Sequence, residues 1–556
     1  MATNMKITKP DFPTFFGGFG FHNNEALFYR LIEKEHFDQK ICKCYRELSP
    51  GFSRCFAGYP NWTKESMDTF ADYYERMQKV TDTPIYFAAA KGQLHFNDEE
   101  RKEYAENVAS RLNYLKNERG VKQLRYYCYS NEMSMNDWGG LLEDLPLFQK
   151  YHELLFQAFQ KYDLNIGLLA TDAGPVEAWD TMDYAAKHMK RITEEMCGHH
   201  YLSGSYERMT DPDLYYWFKE KCEDRVIKSC QCDGKRFILG EVGVSVDCKE
   251  YGWFLNGVIR DVNGWYYNGE GALGALILAD IILASINAGV FAIVIWTFTD
   301  YPDPYVCHYH SDKDKFAKEW GKCERFISHT QDVKYNKWGL MKWEDNGDYS
   351  VRECYYSSGL ISRFCRRNAK VLNVECADRN IHTCGLLNRD GTVSICIVNR
   401  NHTESEIDID LDIFGIKNMP DLRAYIYDSH NVPMNEFGDL QDYSETVCHN
   451  GGKFTYKLLP DSFTVLTTDY IDREDIYAEN VKQEGNIISW DKIEDPLHCY
   501  YRVYRGETED FSPSRENQIA STVAETLDLD ARYLEASAIK TVKGNYYKVL
   551  SVNQKR

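Results

Sequence analysis

The sequence predicts an α/β chain: a (β/α)8 TIM barrel over residues 1–335, followed by two all-β accessory domains at 336–471 and 472–556. Three observations carry that expectation. Eight short apolar runs, most of them separated by amphipathic helical stretches, fill the first 300 residues, which is the arithmetic of an eight-fold barrel. Beyond about residue 335 the pattern changes to short alternating segments punctuated by Asn, Asp and Gly, the texture of antiparallel sheets. The chain has 556 residues, 43% hydrophobic and 27% charged, enough for two to four domains with a large core and unlike a disordered chain.

The expected barrel strands are Phe15 to His22, Phe52 to Tyr59, Pro84 to Ala90, Gln123 to Asn131, Asn165 to Thr171, Met196 to Tyr201, Phe237 to Glu241 and Val290 to Trp296. Helical periodicity covers Ser66 to Val80, Glu99 to Glu118, Pro146 to Tyr162, Val176 to Glu195 and Leu214 to Cys230. An open doubly wound sheet is the alternative, but Gly17-Gly18-Phe19-Gly20 lacks the third glycine of a dinucleotide-binding turn. Ala272 to Trp296 is apolar enough to suggest a membrane span. Asp280 and Asn287 argue instead for a buried helix, stopped by Gly289 and followed by a β-branched strand. Among the later segments, Thr392 to Asn399, Glu406 to Leu411, Leu422 to Tyr427 and Phe463 to Thr468 read as strands of a sandwich. From about Asp472, Trp490 in an early strand, Tyr500-Tyr501-Arg502-Val503-Tyr504 and Tyr546-Tyr547-Lys548-Val549 resemble a fibronectin type III module.

A formal charge of −20 repels phosphate backbones and anionic lipid, so neither nucleic acid nor membrane is the expected partner. With 40 Tyr and 11 Trp, the chain is rich in rings of the kind that cover the C–H faces of neutral sugars. The 18 cysteines are scattered, and the pairs Cys42/Cys44 and Cys230/Cys232 have the wrong spacing for zinc knuckles, so no structural metal is expected. Met1 to Phe16 shows no apolar leader. Free thiols in the cytoplasm are the simplest expectation, with secretion the alternative if a leader has been removed.

A barrel places its chemistry at the carboxyl ends of its strands. The fourth run ends Tyr129-Ser130-Asn131-Glu132 and the seventh ends Leu239-Gly240-Glu241. A carboxylate straight after apolar strand sequence is costly unless it lines a cleft or finds partners. Two of them across a barrel mouth supply what glycosidic cleavage needs, although each taken alone also reads as a helix cap or a paired rim residue. Asn131-Glu132 and Glu241 resemble glycoside hydrolase clan A over about residues 12–300 and, with a β-sandwich following, family 39 with its β-xylosidase-like enzymes.

The resemblance implies Glu132 as acid/base, Glu241 as nucleophile and Asn131 as a partner of the sugar 2-hydroxyl. It also implies Arg54 beside the nucleophile, His200 and Tyr201 as an aromatic pair near nucleophile or sugar, and Trp296 as a stacking platform. Met133 and Ser130 depart from residues common in the clan, and neither moves a proton. Trp62, Trp138, Asp172, Asp300 and Asp303 fall in expected loops on the same face.

The expected reaction is double displacement, with no metal or organic cofactor; a carboxylate separation of roughly 5–5.5 Å would fit it, and one of roughly 6.5–9.5 Å would point to inversion. Exo-action on a short β-linked xyloside, glucoside or galactoside is the expected specificity, with arabinoside also open. A non-catalytic carbohydrate-binding or adhesion protein, or a transglycosidase, is the alternative. The accessory domains are expected to brace the barrel or build a homo-oligomer interface.

Overall fold

The computed structural model describes residues 2–8, 14–23, 37–57, 63–78, 83–89, 96–132, 144–247, 265–267, 271–302, 335–336, 338–343, 349–411, 419–530 and 542–554. Within them eight parallel strands close into a barrel: β2 (Gly18–His22), β3 (Phe52–Ala57), β4 (Ile85–Ala89), β5 (Leu124–Cys128), β6 (Gly167–Ala173), β7 (Glu195–Ser205), β8 (Phe237–Asp247) and β10 (Ala292–Ile295). Closure is complete because β10 pairs with both β2 and β8. Strand β9 (Trp265–Tyr267) adds antiparallel to the far end of β8. The expected barrel is therefore present, with β7 and β8 running past their expected ends.

Local chemistry sets the helices between these strands. Helix α3 (Asp98–Asn113) starts at a reciprocal capping box, in which Asn97 accepts from the Glu99 and Glu100 amides and the Glu100 side chain accepts from the Asn97 amide. Helix α4 (Leu145–Lys161) starts at Asp144, whose carboxylate accepts from the Leu147 amide, with Pro146 in the first turn, where its missing N–H costs nothing.

The most apolar segment forms α7 (Ala272–Asn287), buried continuously from Leu273 to Ile286. A helix apolar on every side must be covered on every side. On one side α7 meets the barrel and α6 (Asp213–Gln231); on the other it meets α8 (Glu353–Phe364) and the accessory sheet. Asp280, its one charge, is 2% exposed and is satisfied from the sandwich, 2.6 Å from His382 Nδ1 and 3.2 Å from Arg400 Nη1. Among the described residues, no helix is long and apolar enough to cross a membrane.

The sandwich runs β16 (Glu445–Val447), β15 (Leu422–Asp428), β18 (Ser462–Thr467), β13 (Val393–Asn399), β12 (Ile381–Leu387), β11 (Lys370–Cys376), β1 (Thr3–Thr8), β14 (Ser405–Asp410) and β17 (Lys453–Leu458). Strand β11 passes from one layer to the other, pairing with β12 through Lys370 to Leu372 and with β1 through Asn373 to Cys376. The N-terminal segment thus corrects the expected boundary: Thr3–Thr8 belongs to the sandwich, where Met5 and Ile7 fill its core beside Ile407 and Ile409. Strands β12, β13 and β18 are buried on both faces. Ile381, Ile395 and Leu466 point into the sandwich, while Cys384, Cys396 and Val465 join the barrel's own core.

The last unit pairs β19 (Lys482–Glu484), β20 (Ile487–Ser489) and β23 (Thr526–Asp528) in one sheet, and β22 (Gln518–Thr522), β21 (His498–Gly506) and β24 (Tyr546–Asn553) in another. Trp490 and Tyr501 pack between them.

Candidate active site

The carboxyl ends of the barrel strands converge on one buried polar cluster, and two bulges aim it. In β6, Asp172 takes a left-handed conformation (φ 59°) and is skipped in the pairing with β7, so its side chain turns into the barrel. In β8, Gly240 is skipped, so His199 stands opposite Glu241. Glycine is needed there because a Cβ would lie 2.7 Å from Cys197 Sγ and 3.0 Å from His199 Nε2.

Arg54, in the middle of β3 and fully buried, holds the cluster together. Its Nη1 donates to Glu241 Oε1 and its Nη2 to Asn131 Oδ1 at 2.6 Å, with Asp172 Oδ2 at 3.1 Å and His22 Nδ1 at 3.2 Å. Tyr201 donates its hydroxyl to Glu241 Oε2 at 2.5 Å. Burial pushes the Glu241 carboxyl up, while Arg54 and His199 pull the other way. Glu132 follows β5 with φ 49°, its amide donating to the Asp172 carbonyl at 2.8 Å, and its side chain is 20% exposed. A carboxylate oxygen of Glu132 lies within 4.8 Å of one of Glu241.

One expected residue does not join the group. His200 points outward from β7, stacks on Phe218 and accepts from the Val176 amide at 3.3 Å, and burial lowers its pKa to about 4. Its place is taken by His199, because successive strand residues face opposite ways and Tyr201 already faces inward. His199 Nδ1 sits 3.4 Å from Glu132 Oε1 and 3.6 Å from Glu241 Oε2; its Nε2 is 2.7 Å from Asp172 Oδ1. Burial opposes a charge on this ring, but Asp172 and Glu241 outweigh it and raise its pKa to about 10.

Trp296, at the end of β10, lies against His22 (ring centroids 4.3 Å) and Phe56 (5.6 Å). Of the expected loop residues, Asp172 is wholly buried in the cluster. Asp300 is bound to Arg352 at 2.8 and 2.9 Å and to the Gly339 amide, which makes it a brace. Trp62, Trp138 and Asp303 lie outside the described residues.

The carboxylates, His199 and Cys197 invite a test for metal binding. His199 Nε2 and Asp172 Oδ1, at 2.7 Å, are closer than the roughly 3.3 Å between two ligands of a tetrahedral zinc with bonds of about 2.0–2.1 Å. The Arg54 guanidinium beside them also repels a cation. The donor set suits an ion-paired cluster and fits a metal poorly.

No family model and no curated protein matches the chain in sequence. Solved structures do match it. The catalytic domain of GH30 xylanase C from Talaromyces cellulolyticus aligns with a TM-score of 0.54 at 12% identity, covering 84% of this chain and 98% of its own. AbfB, a family 51 alpha-L-arabinofuranosidase from Bifidobacterium longum, aligns with a TM-score of 0.56 at 13% identity, covering 84% and 100%. The GH30 subfamily 8 xylanase Xyn30A from Clostridium acetobutylicum gives 0.51, 11%, 84% and 99%. The chain shares their fold. At these identities the likeness is one of architecture, and the chemistry has to be argued from the cluster itself.

Proposed function

We propose that the protein is a retaining glycoside hydrolase of clan A type, with Glu241 as nucleophile and Glu132 as general acid/base. The observation that carries this reading is the approach of their carboxylate oxygens to within 4.8 Å at the carboxyl end of a closed barrel. That approach is nearer the roughly 5–5.5 Å of double displacement than the roughly 6.5–9.5 Å of an inverting pair with its water, and so supports retention. The solved structures of similar fold, two xylanases and an arabinofuranosidase, support the same class.

In the first step an oxygen of Glu241 bonds to the anomeric carbon as the bond to the leaving oxygen breaks, and Glu132 gives that oxygen its proton. In the second, Glu132 takes a proton from water, the water oxygen bonds to the anomeric carbon, and the ester to Glu241 breaks. Arg54, His199 and Tyr201 all favour the Glu241 anion. Asn131 is held by Arg54 through its side-chain oxygen, which leaves the amide nitrogen as its donor for a sugar hydroxyl. Trp296, packed against His22 and Phe56 after β10, is the ring proposed to meet a sugar face. Each step uses only side chains and water.

The finer reading is exo-action on a β-linked glycoside, and within the clan family 39, on the Asn131-Glu132 and Glu241 motifs followed by a sandwich. Incubation with 2-deoxy-2-fluoro xylosyl, glucosyl, galactosyl and arabinosyl donors tests it. One donor should inactivate the enzyme and add a single fluoroglycosyl mass to the peptide containing Glu241, which also names the sugar. A label on another carboxyl group overturns the assignment. A folded protein that releases no aglycone from any glycoside would point to carbohydrate binding alone.

A further inference from the structure

We propose that Asp172 is a positioning residue that acts through His199, keeping it an imidazolium lodged between the two reactive glutamates. This rests on the glycosidase reading and adds to it a buried countercharge that touches no substrate.

Asp172 is a costly residue to place here. It is an aspartate in a left-handed bulge, 0% exposed, inside a parallel barrel. Burial alone would drive its carboxyl neutral, yet His199 and Arg54 hold it well below the usual carboxylate range. It is surrounded on all sides: the Tyr86 hydroxyl donates to Oδ1, the Cys197 thiol donates to the same oxygen at 3.0 Å, and Arg54 Nη2 donates to Oδ2 at 3.1 Å. The fourth neighbour, His199 Nε2, faces Oδ1 as an ion pair without the alignment of a hydrogen bond.

The consequence lies at the other nitrogen of the same ring. With Nε2 beside Asp172, Nδ1 reaches Glu132 Oε1 and Glu241 Oε2. The charged groups facing this imidazole are Asp172 from β6, Glu132 after β5, Glu241 from β8 and Arg54 from β3, with His22 of β2 behind the guanidinium. Arg54 and His199 as cations balance Asp172 and Glu241 as anions, leaving Glu132 as the one carboxyl outside the balance. If the charge on Asp172 is removed, His199 loses the strongest of the influences that hold its proton, and Glu241 and Glu132 on the Nδ1 side are left to oppose its burial alone. The ring then surrenders its proton, and both glutamates lose the cation between them.

The test is Asp172→Asn, which keeps size and shape, read in two independent ways on the full chain. With histidine labelled in the ring nitrogens and His199 assigned by its absence in His199→Asn, NMR should show an imidazolium at pH 7 in the parent and a neutral ring in Asp172→Asn. On the best substrate from the glycoside panel, kcat should fall roughly 100-fold, the scale of losing one preorganised charged donor, with KM little changed. The double variant Asp172→Asn/His199→Asn should be no slower than His199→Asn alone. An imidazolium that persists in Asp172→Asn overturns the proposal, as do losses that multiply in the double variant. If no glycoside turns over, the NMR titration still decides the Asp172–His199 pairing, while the glycosidase reading fails separately. Tyr86→Phe, which removes one donor but no charge, should leave the ring charged; a neutral ring there would show that packing, rather than charge, sets its state.

Discussion

Replacing Glu241 with Ala should lower turnover by about 10⁴-fold or more while the protein stays folded. The fold should survive because Arg54 keeps Asp172 and Asn131 as acceptors, so its buried guanidinium is not left unpaired. Glu132→Ala should behave differently, and the difference identifies the roles. A leaving group that needs no proton, such as dinitrophenolate, will still be expelled, but the glycosyl-enzyme will wait for a water that nothing deprotonates. Added azide, which needs no general base, should then restore turnover and yield a glycosyl azide of retained configuration. An active Glu241→Ala protein, or azide rescue with inverted product, would remove the assignment of these two residues. The comparison is read from steady-state kinetics and product NMR, with circular dichroism as the check on folding.

The largest stability effect should come from Asp439→Ala, about 3–5 kcal/mol, the usual cost of leaving a buried partner unpaired. Asp439 sits where the three units meet. Its carboxylate is 2.6 Å from Lys43 Nζ on α1 (Lys43–Leu48), 3.2 Å from Arg502 Nε on β21, and accepts from Gln518 and Ser521 at 2.8 and 2.7 Å. Lys43 also contacts Glu47 at 2.8 Å, and Glu47 in turn accepts from the Tyr355 and Tyr500 hydroxyls and the Leu440 amide.

Burial opposes both charges of the central pair, and each is restored by its partners. Lys43 and Arg502 hold Asp439 low, while Asp439 and Glu47 hold Lys43 high. A depressed acid stabilises above its unfolded pKa, about 3.8, and loses that contribution as pH falls through its folded value. A raised base stabilises below about 10.5 and loses its contribution as pH rises through its folded value. The junction should therefore hold evenly between those limits. Differential scanning calorimetry should show the loss as a lower melting temperature, and limited proteolysis should release the C-terminal unit from Asp439→Ala first. The double variant Lys43→Met/Asp439→Leu should lose less than the sum of the two singles, since each single leaves the other charge buried, although Glu47 and Arg502 also lose a partner in it; a penalty equal to that sum would deny that the pair is coupled.

The barrel was legible because each parallel strand is buried on both faces and so reads as a short apolar run, as in Ile85 to Ala89 and Phe237 to Leu239. Glu132 and Glu241 were legible for the converse reason, as acids set where apolar sequence stops. The histidine that faces the cluster is His199, one residue before the expected His200. A strand's period of two was enough to choose between neighbours once Tyr201 was taken as inward, and that signal passes over His200. Asp172 looked like a loop residue because a bulge leaves no trace in composition: the chain carries on apolar through Leu168 and Leu169, and only the backbone turn at residue 172 aims the carboxylate inward. The Lys43–Asp439 junction joins residues far apart in sequence, and no local pattern announces such a partnership. Position in the chain places Thr3–Thr8 with the barrel, whereas its alternating burial matches the half-exposed layer in which it pairs.

The wholly apolar α7 bears on how the chain can be cut. Much of its cover comes from the sandwich, and Asp280 finds its partners His382 and Arg400 there. A fragment ending where the barrel's last strand ends would leave a greasy rod facing water with a lone acid in its middle, so barrel and accessory parts share a single hydrophobic seam and should fold together.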